Sequence, residues 1–241
     1  MAEFVLVHGA WHGAWCWDEL REVLARRGHR SHAPDLPGLG DDPTPPAEVT
    51  LAAYAGRVAE VVRSLPAPVI LVGHSMGGLV ITEAAGAIAD RLHGLVYVAA
   101  YAPGHGQSLL DLSRNDADTG LGHALEINAG TASVAEAAQH DVFYHRCSAE
   151  QSARARARLV RQQPLAPLAT PVSTKDATLA ALSRLYLLCA EDRAIAPANQ
   201  RAMAEAAGIA RVATLETDHS PFLSCPEALA DALDTAAAEA R

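Results

Sequence analysis

"LVGHSMGGLV" occupies residues 71–80, and its reading decides the fold. The aliphatic run "PVILVGHS" (68–75) leads into it, and residues 76–89, apolar at helical spacing, lead out. A buried strand that turns at once into a helix accounts for both halves. Glycine is costly inside regular structure, so the glycines crowded around Ser75 need a reason. A tight strand-to-helix turn supplies one, because side chains at positions 73 and 77 would collide with the neighbouring strand and helix. "GHSMG" (73–77) fits the pattern G-x-S-x-G. In such a turn the serine hydroxyl is exposed beside the start of a helix, where free N–H groups and the helix dipole favour negative charge.

The same alternation extends in both directions. "EFVLVHG" (3–9) reads as a buried strand and "WCWDELREVLARRG" (15–28) as a helix. "HRSHAPDLPGLGDD" (29–42) is a short strand followed by a Pro/Gly loop, and "TLAAYAGRVAEVVRSL" (50–65) is a helix with Thr50 placed to cap it. "LHGLVYVAAY" (92–101) is a strand. "SRLYLLCAED" (183–192) and "ARVATLE" (210–216) are two more, separated by a helix over 197–208 and followed by a closing helix over 226–241. Strands that are apolar throughout and alternate with helices predict an α/β fold, with a mostly parallel sheet covered by helices on both faces. The core comprises residues 1–103 and 176–241.

Residues 104–175 break the rhythm. They show no convincing strand, only helix-like stretches broken by Gly and Pro, and they read as a helical cap inserted at one end of the sheet rather than an independent domain. The apolar residues of this segment, among them Leu109, Leu125, Ile127, Val142, Phe143 and Tyr144, are expected to pack it onto the core and to line a largely apolar pocket. The basic run "ARARARLVRQQ" (153–163) reads as a solvated helix face.

Bulk properties narrow the function. A chain of 241 residues suits one large domain, and its net charge of −9 argues against nucleic-acid partners and anionic membranes. The N-terminus lacks the basic start of a secretory signal, and no apolar run is long enough to span a bilayer. Cys16, Cys147, Cys189 and Cys225 are scattered without a CxxC pair, and each reads as a small buried hydrophobe in a cytoplasmic protein. With no dinucleotide fingerprint, phosphate loop or metal set, no cofactor is expected. The expected partner is a small-molecule substrate, and a homo-oligomer is left open.

A serine hydroxyl needs a base to become a nucleophile. Of the eleven histidines, only His219 in "ETDHSPF" (216–222) follows the last strand and precedes the last helix, at the sheet end that carries Ser75. His8 and His12 are spaced like a metal pair but sit in a Gly-rich loop. The acid should follow a strand between Ser75 and His219, which selects Asp192, with Glu191 as the alternative. Asp218, a direct neighbour of His219, is badly placed to accept from its ring. Two backbone donors are needed for an oxyanion. Met76, just after the nucleophile, supplies one, and the loop "HGAWHGAW" (8–15) the other, through Ala10 or else Trp11.

"FVLVHGAWHGAWCW" (4–17), "PDLPGLG" (34–40), "GHSMGG" (73–78), "AED" (190–192) and "DHSPF" (218–222) together resemble the α/β-hydrolase superfamily. The resemblance is to the branch holding plant methylesterases, hydroxynitrile lyases and related bacterial esterases. It implies an eight-strand-type core, or one strand fewer at the start, under a helical cap. It also carries Ser75, Asp192 and His219 over as the triad and Ala10 and Met76 as the oxyanion hole. The lyases of this branch carry Thr where this chain has Gly9, and Lys where it has Ser220, so the resemblance implies ester hydrolysis. The expected activity is cleavage of a small or medium apolar carboxylic ester through an acyl-enzyme. A C–C lyase, thioesterase or polyketide-type cyclase on the same triad is the alternative, and so is a non-catalytic small-molecule receptor.

Overall fold

The computed structural model describes residues 1–66, 68–116 and 118–239; the last two residues of the expected closing helix lie outside the described residues. The main sheet holds strands β1 (Glu3–Val7), β2 (Arg30–His32), β3 (Val69–His74), β4 (Leu92–Val98), β8 (Ser183–Cys189) and β9 (Arg211–Leu215). They lie in the order β2-β1-β3-β4-β8-β9, and every pairing is parallel. The described sheet therefore has six strands where an eight-strand-type core, or one strand fewer at the start, was expected. β1 and β3 are buried along their whole length, as uninterrupted apolar runs in a sheet covered on both faces must be.

Helices α1 (Asp18–Arg26), α2 (Leu51–Ser64), α3 (Gly77–Ile88), α5 (Pro197–Ala206) and α6 (Pro226–Glu239) surround the sheet. α1 packs on α6, and α2 on α3, forming the two covering layers. Thr50 caps α2 as expected, its hydroxyl accepting from the Ala53 N–H at 3.1 Å, a contact that contributes about 1 kcal/mol. β1 and β3 are central and adjacent, so the loop after β1 and the turn after β3 meet at the carboxyl end of the sheet, where open α/β sheets gather ligands.

The segment between β4 and β8 is not wholly helical. It contains a three-stranded antiparallel sheet of β5 (Leu125–Asn128), β6 (Thr131–Val134) and β7 (Gln163–Pro164), besides helix α4 (Ala149–Arg158) and several shorter helices. β5 and β6 are joined through Ala129 and Gly130, both left-handed at φ 46° and 82°. Positive φ at both central residues is the geometry of a two-residue type I′ hairpin. All four β5 residues are exposed, which removes the burial alternation that betrays a strand in sequence. The basic run is a largely solvated helix face, as expected, with contacts to the core through Arg154 and Arg158. On α4, Arg154 pairs with Glu19 at 3.1 Å, and Arg158 stacks 5.1 Å over the Trp15 ring, so the helix docks on the start of α1.

Candidate active site

Ser75 sits between β3 and α3 with φ 53°, a left-handed conformation that costs a non-glycine residue energy and is held only by its surroundings. Its N–H donates to Val98 O, and its carbonyl accepts from the Gly78 and Tyr101 N–H groups. The flanking glycines are forced by contact. A Cβ on Gly73 would lie 2.5 Å from Gly77 O, and one on Gly77 would lie 2.4 Å from Val7 O. Ser75 keeps 8% of its surface exposed, and its hydroxyl meets no protein partner among the described residues. The positive end of the α3 dipole lies beside it.

His219 lies between β9 and α6. Its Nδ1–H donates to Asp192 Oδ2 at 2.7 Å, with both side chains almost wholly buried. Nε2 is left without a protein partner among the described residues, as a base requires. Asp192, in the turn after β8, accepts three further hydrogen bonds: Ala194 N–H (2.7 Å) and Ile195 N–H (2.9 Å) on Oδ1, and Gln200 Nε2 (2.9 Å) on Oδ2. Glu191, the alternative acid, faces Arg146 at 3.6 Å instead. Asp218 accepts from the backbone N–H groups of Arg146 and Ser220. The structure thus joins His219 to Asp192 directly. No direct bond joins His219 to Ser75 among the described residues. The two are linked through His74, whose Nε2–H donates to His219 O at 2.7 Å.

The loop after β1 lies against Ser75, since a Cβ on Gly9 would be 2.9 Å from both Ser75 Cβ and His74 Nδ1. The N–H groups of Ala10 and Met76 have no protein acceptor among the described residues. Trp11 N–H is already committed to Gln163 Oε1 at 3.3 Å, so of the two candidate donors only Ala10 N–H is uncommitted among the described residues. Asp35 in "PDLPGLG" anchors the same loop, accepting from Ala14 N–H at 2.6 Å.

Three buried neutral histidines brace these loops. His8 donates from Nδ1 to Gly9 O and accepts Leu36 N–H on Nε2, a tautomer fixed by its partners. His12 donates from Nδ1 to Ala10 O, and the Tyr144 hydroxyl donates to its Nε2 at 2.8 Å. Burial lowers all three, pushing His12 from 6.5 down to about 3. His8 and His12 are therefore braces with their ring nitrogens occupied, and among the described residues no cluster of three or more His, Cys, Asp or Glu is placed to hold a metal. The four cysteines are free, with burial raising each thiol.

The inserted segment reaches the site at several points. Phe143 lies 5.8 Å from the His219 ring and 5.9 Å from Trp11. Trp11 Nε1–H donates to Ala132 O in β6, and Val160 N–H donates to Trp11 O. Asp116, raised by burial, accepts from Ala196 N–H and Asn199 Nδ2 beside the Asp192 turn. Phe143 is among the apolar residues expected to pack the segment onto the core, whereas Ala132, Val160 and Asp116 carry no sequence signal of their own. Gln200 does: it is a polar residue on the buried face of α5, alongside Met203 and Ala204. A cavity of about 1140 Å³ opens between the β5–β6 hairpin, α4 and residues 45–47, with Trp11 in its wall. Its lining is mixed, with Glu126, Glu136, Arg156 and Arg161 beside Pro45, Val134, Leu159 and Val160, and it includes none of Ser75, His219 and Asp192; Leu125 and Ile127, expected to pack inward, face solvent.

Residues 4–232 match the family model described as "Alpha/beta hydrolase family". The chain is 45% identical to a carbendazim-hydrolysing esterase of Nocardioides over 114 residues, spanning 46% of this chain and 47% of that one. It is 31% identical to methylesterase 2 of Arabidopsis thaliana over 95% of this chain and 94% of the relative, and 32% identical to an α-hydroxynitrile lyase of the same plant over 98% and 97%. A pyrethroid hydrolase from Sphingobium faniae superposes with a TM-score of 0.88 at 26% identity, covering 98% of both chains.

Proposed function

The chain belongs to the α/β-hydrolase family and is an enzyme of its esterase group, and on that premise we propose a serine carboxylesterase with Ser75 as nucleophile, His219 as base and Asp192 as its partner. The observation that carries this reading is the buried 2.7 Å bond from His219 Nδ1 to Asp192, with Nε2 left free at the sheet end where Ser75 is held at φ 53°.

In this reading Ser75 Oγ attacks the ester carbonyl carbon while His219 Nε2 takes its proton, and the Asp192 carboxylate stabilises the imidazolium. The carbonyl oxygen becomes an oxyanion held by the Ala10 and Met76 N–H groups. The carbon–oxygen bond to the alcohol then breaks, and His219 returns the proton to that leaving group. A water, deprotonated by His219, attacks the acyl-Ser75 ester, and the carboxylic acid departs as Ser75 regains its proton. A small-molecule ester, with no cofactor, is the proposed partner.

Two positions favour hydrolysis over cleavage of a cyanohydrin. A Thr at Gly9 would drive its Cβ to 2.9 Å from Ser75 Cβ, and position 220 offers a fully buried, neutral Ser instead of a cation. The test is a panel of p-nitrophenyl esters against wild type and Ser75→Ala. Turnover by the wild type and a loss of about 10⁴-fold or more in the variant are expected. A variant retaining a tenth of the activity would remove Ser75 from the mechanism. Cyanohydrin cleavage without ester turnover would favour the lyase reading.

A further inference from the structure

Gln200 lies one helical turn into α5, is fully buried, and has every polar atom of its amide engaged. Oε1 accepts the Cys189 N–H at 3.2 Å, at the end of β8. Nε2 donates to Ile195 O at 2.9 Å and to Asp192 Oδ2 at 2.9 Å. These partners fix the orientation of the amide. Flipped, it would set its oxygen against a carboxylate and a carbonyl, and its NH₂ against an N–H. The residue therefore ties together the end of β8, the turn after it and the carboxylate at the centre of that turn.

Asp192 Oδ2 is the same oxygen that accepts His219 Nδ1–H. We infer that Gln200 is a positioning residue that locks the Asp192 carboxylate in place and shares its Oδ2 with His219, so limiting how strongly the carboxylate holds the imidazolium. The inference rests on the proposed triad. A donor on a carboxylate stabilises its charge and weakens its pull on a neighbouring proton. Removing that donor leaves the carboxylate more basic and the imidazolium better held.

The titratable groups facing the pair are known. His74, with its ring 4.6 Å from that of His219, and His12 are both held neutral by burial. Asp218 adjoins His219, Asp116 approaches from the inserted segment, and Tyr101, Tyr186 and Cys189 are kept protonated by burial. None of these places a hydrogen-bond donor on Asp192 Oδ2; Gln200 and His219 are its two donors among the described residues.

The experiment compares wild type with Gln200→Met, which keeps the volume without the donor, and Gln200→Glu, which keeps the shape and adds a carboxyl beside Asp192. The His219 titration is followed by NMR of its imidazole protons, a readout that needs no substrate, alongside the pH profile of kcat/KM on a p-nitrophenyl ester. Gln200→Glu, whose buried carboxyl beside Asp192 keeps its proton and donates it to Oδ2, should titrate close to wild type, whereas Gln200→Met should raise the His219 pKa by about half a unit or more. The acid limb of the activity profile should move upward with it, and kcat should fall about tenfold in Gln200→Met with KM nearly unchanged. Identical His219 titrations in all three proteins, with only a lower melting temperature, would overturn the inference. Ser75→Ala, run in parallel, separates the two claims: if it stays active the triad reading fails, whatever the NMR titration shows.

Discussion

Asp192 and Glu191 are the two candidates for the carboxylate in the proposed triad, and their surroundings differ. Asp192 is buried under four donors, one of them His219, whereas Glu191 is 40% exposed and faces Arg146. Asp192→Asn should therefore cut kcat by about 10³-fold or more, since an amide on Nδ1 favours the wrong tautomer, and Glu191→Gln should leave it within about threefold. The reverse ranking in steady-state assays would move the acid to Glu191. The buried histidines make a different prediction. Folded His12 takes its proton only near pH 3, but the unfolded chain takes it near 6.5. Between those values the unfolded state holds more protons, so stability is fully present above pH 6.5 and falls as pH drops toward 3, by about 1.4 kcal/mol per pH unit for each withheld proton. His8 and His74, lowered in the same direction, add to the slope. Most carboxylates titrate below this range, so melting temperatures between about pH 5 and 6.5 isolate the effect. They should fall steeply in wild type and less steeply in His12→Gln; parallel curves would show that His12 is not a source. The proposed positions Ser75, His219 and Asp192 are read from sequence because chain order fixes which turns share one end of a parallel sheet, and the structure joins two of them, His219 and Asp192, directly. Asp116 gives no such signal, and Gln200 only that of a polar residue on the buried face of α5, since their roles arise only when α5 and the inserted segment fold against the Asp192 turn.

The elements that sequence reading found share a feature that the missed hairpin lacks. β1, β3, β4 and β8 are buried on both faces and show as continuous apolar runs, and α2 has its cap and a buried stripe. β5 is exposed at every residue, and its turn reads Asn-Ala-Gly-Thr instead of carrying Asn-Gly at the two central positions. Ala129 at φ 46° is the strained member, because a Cβ disfavours that region and only Gly, Asn or Asp adopts it cheaply. Ala129→Asn should therefore stabilise the hairpin by about 0.5–1 kcal/mol, raising the melting temperature slightly or slowing amide exchange over 125–134. A destabilised protein would mean that the turn is not of type I′ in solution. Ala129 lines the cavity beside the hairpin but lies away from Ser75, His219 and Asp192, so turnover of a short ester such as p-nitrophenyl acetate should be unchanged by the substitution.

On the scale of the whole molecule, the inserted segment is bound to the core through the residues that form the site. Trp11 follows Ala10 directly, and its indole N–H, amide N–H and carbonyl are all bound by residues 132–163. Its own φ of 61° is left-handed, so these contacts hold it in a conformation it would not choose alone. One side of Trp11 faces Phe143 and, beyond it, His219; it also lines the 1140 Å³ cavity. That cavity is large enough for a drug-sized group. Through Trp11 its wall adjoins the loop that carries Ala10. The far end of a longer ester should therefore lie there, with its carbonyl at Ser75. Ala157 lines the cavity from the exposed side of α4, away from the triad. Ala157→Trp should fill part of the space without touching Ser75, His219 or Asp192. The expected result is an unchanged kcat/KM for a p-nitrophenyl acetate and a fall of about tenfold for an ester with a long or ring-bearing acyl group. Equal effects on both substrates would mean that the substitution disturbs the chemistry, and no effect on either would mean that the substrate is housed closer to Phe143, within the core loops.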